Sequence, residues 1–317
     1  MTIDAQKRAV LVEQARLAIK HGSQSFSAAS KLFDEETRER AWLLYAWCRR
    51  ADDIADNQDL GGPLGDQSSA KERLDLIRLL TDKALNGEPT GDPAFDALGV
   101  VAQECGLTQQ MADDVIEGFA LDAADWRPRT EADMLRYCYH VAGAVGVMMA
   151  VVMGVSPDDQ ETLDRACDLG LAFQLSNIAR DIVEDDAAGR CYLPEMWLVE
   201  EDIEPGQHTK PHHRQELADM ATKLVKLVEK HEAAARVGAE KLPFRSRWAV
   251  LSAARIYGAI GRKVRKRGTE AWNTRTYVPR WEKALYGARA FLSAAINREK
   301  HPDGPITWGI RDFRPRH

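Results

Sequence analysis

The sequence predicts an all-α protein. Apolar residues recur three and four positions apart along most of the chain, which is the spacing of a helix with one buried face. No stretch of alternating apolar and polar residues leads into a tight turn, so no β-hairpin is predicted. No linker is long enough to divide the chain. We therefore expect a single helical domain over residues 1–317, with an irregular tail after about residue 298.

Turn signals separate the predicted helices. Glycine, proline and serine are concentrated at residues 59–69, and glycine and proline at residues 87–93. Pro279 opens the last helix, because proline is tolerated in the first helical turn. One acid-rich helix follows an apolar lead-in at residues 169–175. The other predicted helices span residues 5–20, 36–56, 70–86, 94–105, 108–125, 134–154, 214–242, 248–266 and 280–297.

Composition narrows the class of protein. The net charge of −6 and the lack of a basic block with interleaved aromatics predict no nucleic-acid partner. The five cysteines form no C-x-x-C pair, which is typical of reduced thiols in a cytoplasmic protein. The first residues lack the apolar core of a signal peptide. The longest apolar run, residues 141–155, is shorter than a membrane span requires and predicts a core helix.

Residues 174–194 (QLSNIARDIVEDDAAGRCYLP) carry a polar face on a helix that starts among apolar residues. At about 100° per residue, four side chains fall within a stripe roughly 80° wide. The stripe contains no apolar side chain, and its members are Gln174, Asn177, Asp181 and Asp185. A solvated face is the alternative. The apolar lead-in favours a cation site set into a cavity.

A second acidic helix lies near the start of the chain, at residues 45–56 (YAWCRRADDIAD). Asp52 and Asp56 are four positions apart, and Arg49 and Tyr45 lie within about 60° of them. Two such helices predict that four carboxylates face each other across a cleft. Carboxylate oxygen is the ligand that Mg²⁺ prefers, together with water and substrate phosphate.

Two further features leave alternatives open. Tyr139 shares a helix face with small residues, among them Gly143 and Gly146, which either admit a neighbouring helix or leave room for a bound apolar chain. In residues 21–33, the serines Ser23 and Ser25 lie near a predicted helix start, where they either cap the helix or help to bind an anion. Solvation or capping is the favoured role of Asp122, with metal ligation as the alternative.

Carboxylates, arginines and an apolar cavity together predict a type of chemistry. Arginine with a carboxylate-bound Mg²⁺ binds diphosphate, a good leaving group once its charge is neutralised. The cation left behind requires a dry pocket and aromatic faces. The predicted reaction is the ionisation of a prenyl diphosphate.

Six ordered segments show that the chain resembles the squalene/phytoene synthase family, and most closely its bacterial phytoene-forming branch. The resemblance covers nearly the whole chain up to about residue 280. It implies the isoprenoid-synthase type of helical bundle with a central cavity. The segments are residues 22–26 (GSQSF), 45–56, 117–122 (EGFALD), 137–146 (YCYHVAGAVG), 169–194 and 245–257 (RSRWAVLSAARIY).

The resemblance implies a prenyltransferase that condenses two geranylgeranyl diphosphates head to head, through prephytoene diphosphate, to phytoene. Two diphosphates leave and no NADPH is required. The reaction would be the first committed step of carotenoid biosynthesis, with Mg²⁺ or Mn²⁺ as cofactor.

The resemblance also implies a role for each matched residue. The metal ligands would be Asp52, Asp56, Asn177, Asp181 and Asp185. The four aspartates would also be catalytic, with Tyr139 and Gln174 beside the reacting carbons. The substrate-binding residues would be Ser23, Ser25, Phe26, Tyr45, Arg49, Asn177, Arg180, Tyr192, Tyr257 and Arg275.

Three alternatives remain. A dehydrosqualene synthase would use farnesyl diphosphate in the same fold, and cavity depth would decide between the two substrates. A head-to-tail prenyltransferase or a terpene cyclase shares acidic motifs on helices. A lipid-binding relative without catalysis would have lost acidic residues that this chain retains.

Because the product would be a long hydrocarbon, we expect peripheral membrane association of a cytoplasmic protein, and contact with other carotenoid-pathway enzymes.

Overall fold

The described part of the chain is entirely helical apart from its turns, which confirms the predicted all-α class. No β-strand occurs among the described residues. A computed structural model provides the coordinates. It describes residues 5–22, 27, 29–58, 65–66, 68–124, 126–296 and 306–314.

The helices are numbered here in chain order. They are α1 Ala5–Gly22, α2 Glu35–Ala55, α3 Ala70–Leu85, α4 Pro93–Cys105, α5 Gln109–Ala123, α6 Glu131–Cys138, α7 Ala144–Val152, α8 Gln160–Ala187, α9 Glu195–Glu200, α10 Arg214–Ala239, α11 Phe244–Arg267 and α12 Arg280–Ile296. Short 3₁₀ turns occur at Pro211–His213, Gly268–Glu270 and Ile310–Asp312.

Local sequence signals explain where several helices begin and end. The carboxylate of Asp34 accepts from the amide of Thr37, 2.9 Å away, and so caps α2. Thr130 and Asp133 form a capping box at the start of α6. Gly106 adopts a left-handed conformation with φ of 79° and ends α4, as glycine does where a side chain would be strained.

The chain folds into two compact units. The first comprises Met1–Ala124 and Val147–Gln160. Its helix α2 packs against α1, α3 and α4, and large apolar side chains fill the core between them. Trp47, Leu43 and Leu44 of α2 and Phe95 of α4 are almost completely buried. This packing holds the last two turns of α2, which carry the first acidic motif.

The second unit comprises Asp125–Gly146 and Glu161–His317. Helix α11 packs against both α10 and α12. The long helix α8 carries the second acidic motif and is buried along most of its first half. Whether the two units form one domain is not tested by these observations, so the single-domain organisation stays a prediction.

Glycines allow a close approach between α8 and the chain before it. A β-carbon on Gly146 would lie 2.7 Å from the carbonyl oxygen of Ala166, and one on Gly143 would lie 2.9 Å from Cδ1 of Leu171. Both distances are shorter than van der Waals contact. Of the two alternatives for this small-residue face, close helix packing therefore accounts for Gly143 and Gly146.

The helix predicted at residues 134–154 is confirmed as one helical stretch, Glu131–Val152, although the π-turn within it was not predicted. A π-turn at Tyr139–Gly143 separates α6 from α7. Such turns occur as single turns inside α-helices and are frequent at functional sites. Residues Glu131–Val152 are also long and apolar enough to span a membrane, and 61% of their apolar window is buried within the protein, as in a core helix.

Candidate active site

The first acidic motif forms an ion-pair cluster at the end of α2. Arg49 donates from Nη2 to Oδ1 of Asp53 at 2.5 Å, and its Nη1 lies 3.0 Å from Oδ2 of Asp52. Asp53 is buried, whereas Asp52 is partly exposed. Asp53 was not predicted as a site residue, because its side chain points away from the Asp52–Asp56 stripe. Asp53 therefore holds Arg49 in place and leaves Asp52 the more accessible carboxylate.

The charge of Asp52 is costly in this environment. Burial raises the pKa of Asp52 to about 6, although Arg49 acts in the opposite direction. The carboxylates of Asp56, Asp53 and Asp122 raise this pKa further. The charge of Asp122 thus acts on Asp52. The sequence had favoured only a solvated or capping role for Asp122. A cation beside these acids would relieve their mutual repulsion.

Tyr45 lies one helical turn before Arg49 and contacts the end of α1. A β-carbon on Gly22 would lie 2.5 Å from the hydroxyl oxygen of Tyr45, so a larger residue there would displace the end of the Tyr45 side chain. Burial raises the pKa of the Tyr45 hydroxyl. The predicted substrate-binding residues Ser23, Ser25 and Phe26 lie outside the described residues, and their roles stay predictions.

The second acidic motif pairs Asp181 with two arginines. Arg180 donates from Nε to Oδ1 of Asp181 at 2.7 Å. Arg275 approaches from beyond α11, with Nη2 3.0 Å from the same oxygen and Nη1 3.6 Å from Oε1 of Glu184. The side chain of Arg275 is largely exposed. The structure thus brings Arg275, 94 residues away in sequence, to the predicted site.

Asp185 lies one turn further along α8 and is harder to ionise. Burial raises the pKa of Asp185 to about 7. The carboxylates of Asp181 and Glu184 act in the same direction, whereas Arg190 and Arg180 oppose it. Carboxylates that crowd together at the end of one helix raise each other's pKa in this way.

The neighbouring acids of the same motif have other partners. Asp186 accepts from the hydroxyl of Thr209 and lies 3.7 Å from Nε2 of the buried His208. Glu184 is exposed and pairs with Arg275. The choice of Asp185, made from helical spacing, as the carboxylate of this motif that joins Asp181 stays a prediction.

A stacked pair of aromatic side chains lies beside the second motif. Tyr257 of α11 stacks on Phe173 of α8, with ring centroids 4.0 Å apart. Burial raises the pKa of the Tyr257 hydroxyl, and the charge of Arg180 lowers it. Phe173 was missed from the sequence, although it directly precedes Gln174. Its position on α8 places an aromatic face beside the polar stripe.

Tyr192 and the remaining polar residues of the stripe also belong to the second unit. Tyr192 is buried and stacks on Tyr137, with centroids 4.7 Å apart, and Tyr137 stacks on Trp126. Gln174 and Asn177 are partly buried on α8. Their predicted contacts with metal, diphosphate or reacting carbons stay predictions.

Tyr139 is held by the end of the chain. It is 1% exposed, and its hydroxyl accepts from Nε of Arg314 at 3.0 Å. The ring of Phe313 stacks on Tyr139, with centroids 6.5 Å apart. The role of Tyr139 beside the reacting carbons stays a prediction, and the contacts identify Arg314 as the residue that orients its hydroxyl.

A buried polar network anchors this C-terminal segment. Trp308 donates from Nε1 to Oδ1 of Asp168 at 2.8 Å, and Nδ1 of His231 lies 2.6 Å from the same oxygen. Arg165 donates to the carbonyl oxygen of Trp308. The tail after about residue 298 was predicted to be irregular. The apolar residues Trp308, Ile310 and Phe313 were the signal that could have revealed its docking.

The predicted site residues therefore form two sets, one in each unit. Convergence of the four aspartates around one site stays a prediction. Among the described residues, no three His, Cys, Asp or Glu side chains are grouped closely enough to hold a metal ion.

A pocket of about 380 Å³ in the first unit contains none of the predicted site residues. It does not suit an apolar chain, because charged residues line it. They are Arg8, Glu35, Glu36, Glu39, Arg40 and Glu104.

Fold and site together define an all-helical enzyme with two aspartate–arginine clusters. The chain belongs to the squalene/phytoene synthase family, whose model matches residues 19–282. This match confirms the resemblance on which the residue roles were based.

Similar proteins support the same assignment. A phytoene synthase from Pseudescherichia vulneris is 45% identical and covers 86% of this chain and 88% of its own length. A 15-cis-phytoene synthase from Pantoea ananas is 44% identical and covers 90% of this chain and 92% of its own length. One from Enterobacter agglomerans is 47% identical, with 87% and 94% covered.

Solved structures are similar along most of the chain. A dehydrosqualene synthase in complex with a ligand has a TM-score of 0.81 at 25% identity, covering 92% of this chain and 99% of its own. A squalene synthase from Alicyclobacillus acidocaldarius has a TM-score of 0.73 at 23% identity, with 84% and 97% covered. At 23% identity, the similarity to the squalene synthase supports the fold of this chain and not its activity.

Proposed function

We propose that this protein is a phytoene synthase, which joins two geranylgeranyl diphosphates head to head and releases two diphosphates. The observation that carries the proposal is the similarity to proteins of that name, at 44–47% identity over most of both chains. Both acidic motifs and their arginines are also present in the structure. We expect no NADPH requirement.

Dehydrosqualene synthesis from farnesyl diphosphate is the weaker alternative. The similar dehydrosqualene synthase is 25% identical, well below the phytoene synthases. A head-to-tail prenyltransferase or a terpene cyclase would belong to another family than the one whose model matches. The prediction of phytoene synthesis therefore holds over its alternatives.

The arginines have a direct task in the proposed reaction. Arg49, Arg180 and Arg275 each pair with an aspartate of a predicted metal-binding motif. A guanidinium can hold a carboxylate and a diphosphate oxygen at once because it carries five donors in one plane. We assign these residues to binding and orienting the diphosphate.

The acids fit a hard divalent cation. All proposed ligands offer oxygen, from Asp52, Asp56, Asp181, Asp185 and the amide of Asn177, and oxygen is what Mg²⁺ and Mn²⁺ bind. Burial and, after it, neighbouring carboxylates raise the pKa values of Asp52 and Asp185, so a bound cation would stabilise their charged forms. When bound, the metal would neutralise diphosphate as a leaving group.

An aromatic pair lies beside the second motif. Phe173, which directly precedes Gln174 on α8, stacks on Tyr257, and burial raises the pKa of the Tyr257 hydroxyl. Aromatic faces stabilise a nearby carbocation, which a water molecule would otherwise capture. We assign the pair to protection of the ionised prenyl chain.

Product analysis tests the proposal directly. The purified protein is incubated with Mg²⁺ and either geranylgeranyl or farnesyl diphosphate, and extracts are analysed by mass spectrometry. Phytoene from the first substrate is the expected result. Dehydrosqualene as the main product, or a head-to-tail diphosphate, would overturn the proposal.

Conservative variants test the site. Asp52→Asn and Asp181→Asn keep side-chain size but remove a charge, and each should lower turnover on the order of 100-fold or more, as loss of a group that stabilises charge in the transition state does. Asp75→Asn is the matched control, because Asp75 is an exposed acid on α3. Full activity of both site variants would contradict the assignment.

We also propose that the protein is cytoplasmic and associates peripherally with a membrane, where it meets other carotenoid-pathway enzymes. The support is chemical, since a hydrocarbon product partitions into lipid. Cell fractionation tests this. Recovery of all the activity in the soluble fraction, with no binding to lipid vesicles, would contradict it.

A further inference from the structure

An apolar stripe runs along the outer side of α12. Trp281, Leu285, Leu292 and Ile296 fall within an arc of about 60° on this helix. Trp281, Leu292 and Ile296 are 67%, 60% and 64% exposed. Tyr277, just before the helix, is 71% exposed. We call these five residues the α12 stripe.

The stripe is not needed to pack the helix. Ala290 and Ala294 lie on the opposite side of α12 and are buried against Leu251 of α11 and Ala239 of α10. Trp248 further fixes the helix by donating from Nε1 to the carbonyl oxygen of Gly287 at 2.8 Å. The helix is therefore held by its other side, while the stripe leaves large apolar groups in water.

The unpaired charges of α12 are positive. Arg280 and Arg289 are exposed and form no ion pair with another residue that the structure describes. Glu282, the one acid of α12, pairs with Lys263 at 2.8 Å. The surface thus combines two available guanidinium groups with apolar and aromatic side chains.

We propose that the α12 stripe is the surface by which this protein docks on a membrane that contains anionic phospholipid. Helices that lie in a membrane interface have an apolar face flanked by Lys and Arg, and Trp and Tyr prefer the headgroup region. Tyr277 and Trp281 at one end of the stripe and the two arginines match this pattern. Anionic lipid complements the arginines, whereas an apolar protein partner would leave them unpaired.

The inference deepens the membrane association proposed above and rests on it. It adds to that proposal which surface of the protein contacts the membrane and which lipid charge the surface prefers. Docking by α12 does not depend on the acidic motifs or on substrate, so vesicle binding and phytoene synthesis are measured separately. Failure of one leaves the other interpretable.

The test is co-sedimentation of the substrate-free protein with phosphatidylcholine vesicles, with and without phosphatidylglycerol. The stripe variant combines Trp281→Ser, Leu292→Ser and Ile296→Ser. Its matched control combines Leu76→Ser and Leu79→Ser, two exposed leucines on α3. A charge variant combines Arg280→Gln and Arg289→Gln, which keeps the test available if the stripe variant does not fold.

We expect the native protein to bind the anionic vesicles, and the stripe variant to bind at least tenfold more weakly. The α3 control should bind like the native protein. The charge variant should lose the preference for phosphatidylglycerol, and high salt should weaken native binding. The stripe variant should still make phytoene in detergent.

Three results would overturn the proposal. They are native protein that does not sediment with anionic vesicles, a stripe variant that binds as the native protein does, and an α3 control that loses binding equally. Light scattering identifies what the stripe does in the second case. If the stripe variant changes the oligomeric state but not vesicle binding, the stripe is an interface between copies of the chain.

Discussion

Gly170 of α8 offers a sharp test of the close packing in the second unit. A β-carbon at Gly170 would lie 2.5 Å from the carbonyl carbon of Ala142 and 2.6 Å from Cα of Gly143. Both atoms belong to the backbone of the π-turn, so neither can rotate away. Gly170→Ala therefore forces α8 and the π-turn apart.

The magnitude follows from two opposing effects. Overpacking a closely packed site costs about 1–3 kcal/mol, and the upper end applies here because backbone must move. Alanine in place of glycine within a helix contributes about 1 kcal/mol of stability in the opposite direction. The expected net loss for Gly170→Ala is roughly 2 kcal/mol.

Gly287 provides the matched control for the same substitution. It lies within α12, and a β-carbon there would meet no described atom within 4 Å. Gly287→Ala should therefore stabilise the protein by about 0.5–1 kcal/mol. Urea denaturation followed by circular dichroism measures both variants. A Gly170→Ala protein as stable as the native one would refute the close approach.

Two further predictions concern ion pairs and the C-terminal segment. Burial raises the pKa of Glu104, but hydrogen bonds from Arg8 and Arg40 outweigh it and lower this pKa below 4.5. Glu104→Gln should thus cost about 1–2 kcal/mol at neutral pH. In urea titrations this difference should vanish as the pH falls below 4.5, and a difference unchanged at pH 3 would contradict it. Trp308→Ala should cost roughly 2–3 kcal/mol, because it removes partly buried rings and the bond to Asp168. Melting unchanged from the native protein would show that the tail is not docked.

The elements with a local cause were predictable from the sequence. The acidic stripes at Asp52 and at Asp181 follow from helical spacing alone, because side chains four residues apart share a face whatever surrounds them. The helix boundaries at Pro93 and Gly106 follow from caps that act within a few residues. The capping box at Thr130 is equally local, but the predicted start at residue 134 missed it. Family motifs then supplied roles for the matched residues.

The tertiary structure decided the contacts that no spacing encodes. Arg314 reaches Tyr139 across 175 residues, and Trp308 reaches Asp168 across 140. Asp53 is the carboxylate that fixes Arg49, although it lies off the predicted stripe. A hydrogen bond depends on where two side chains end in space, and for partners distant in the chain that position depends on how all the intervening helices pack.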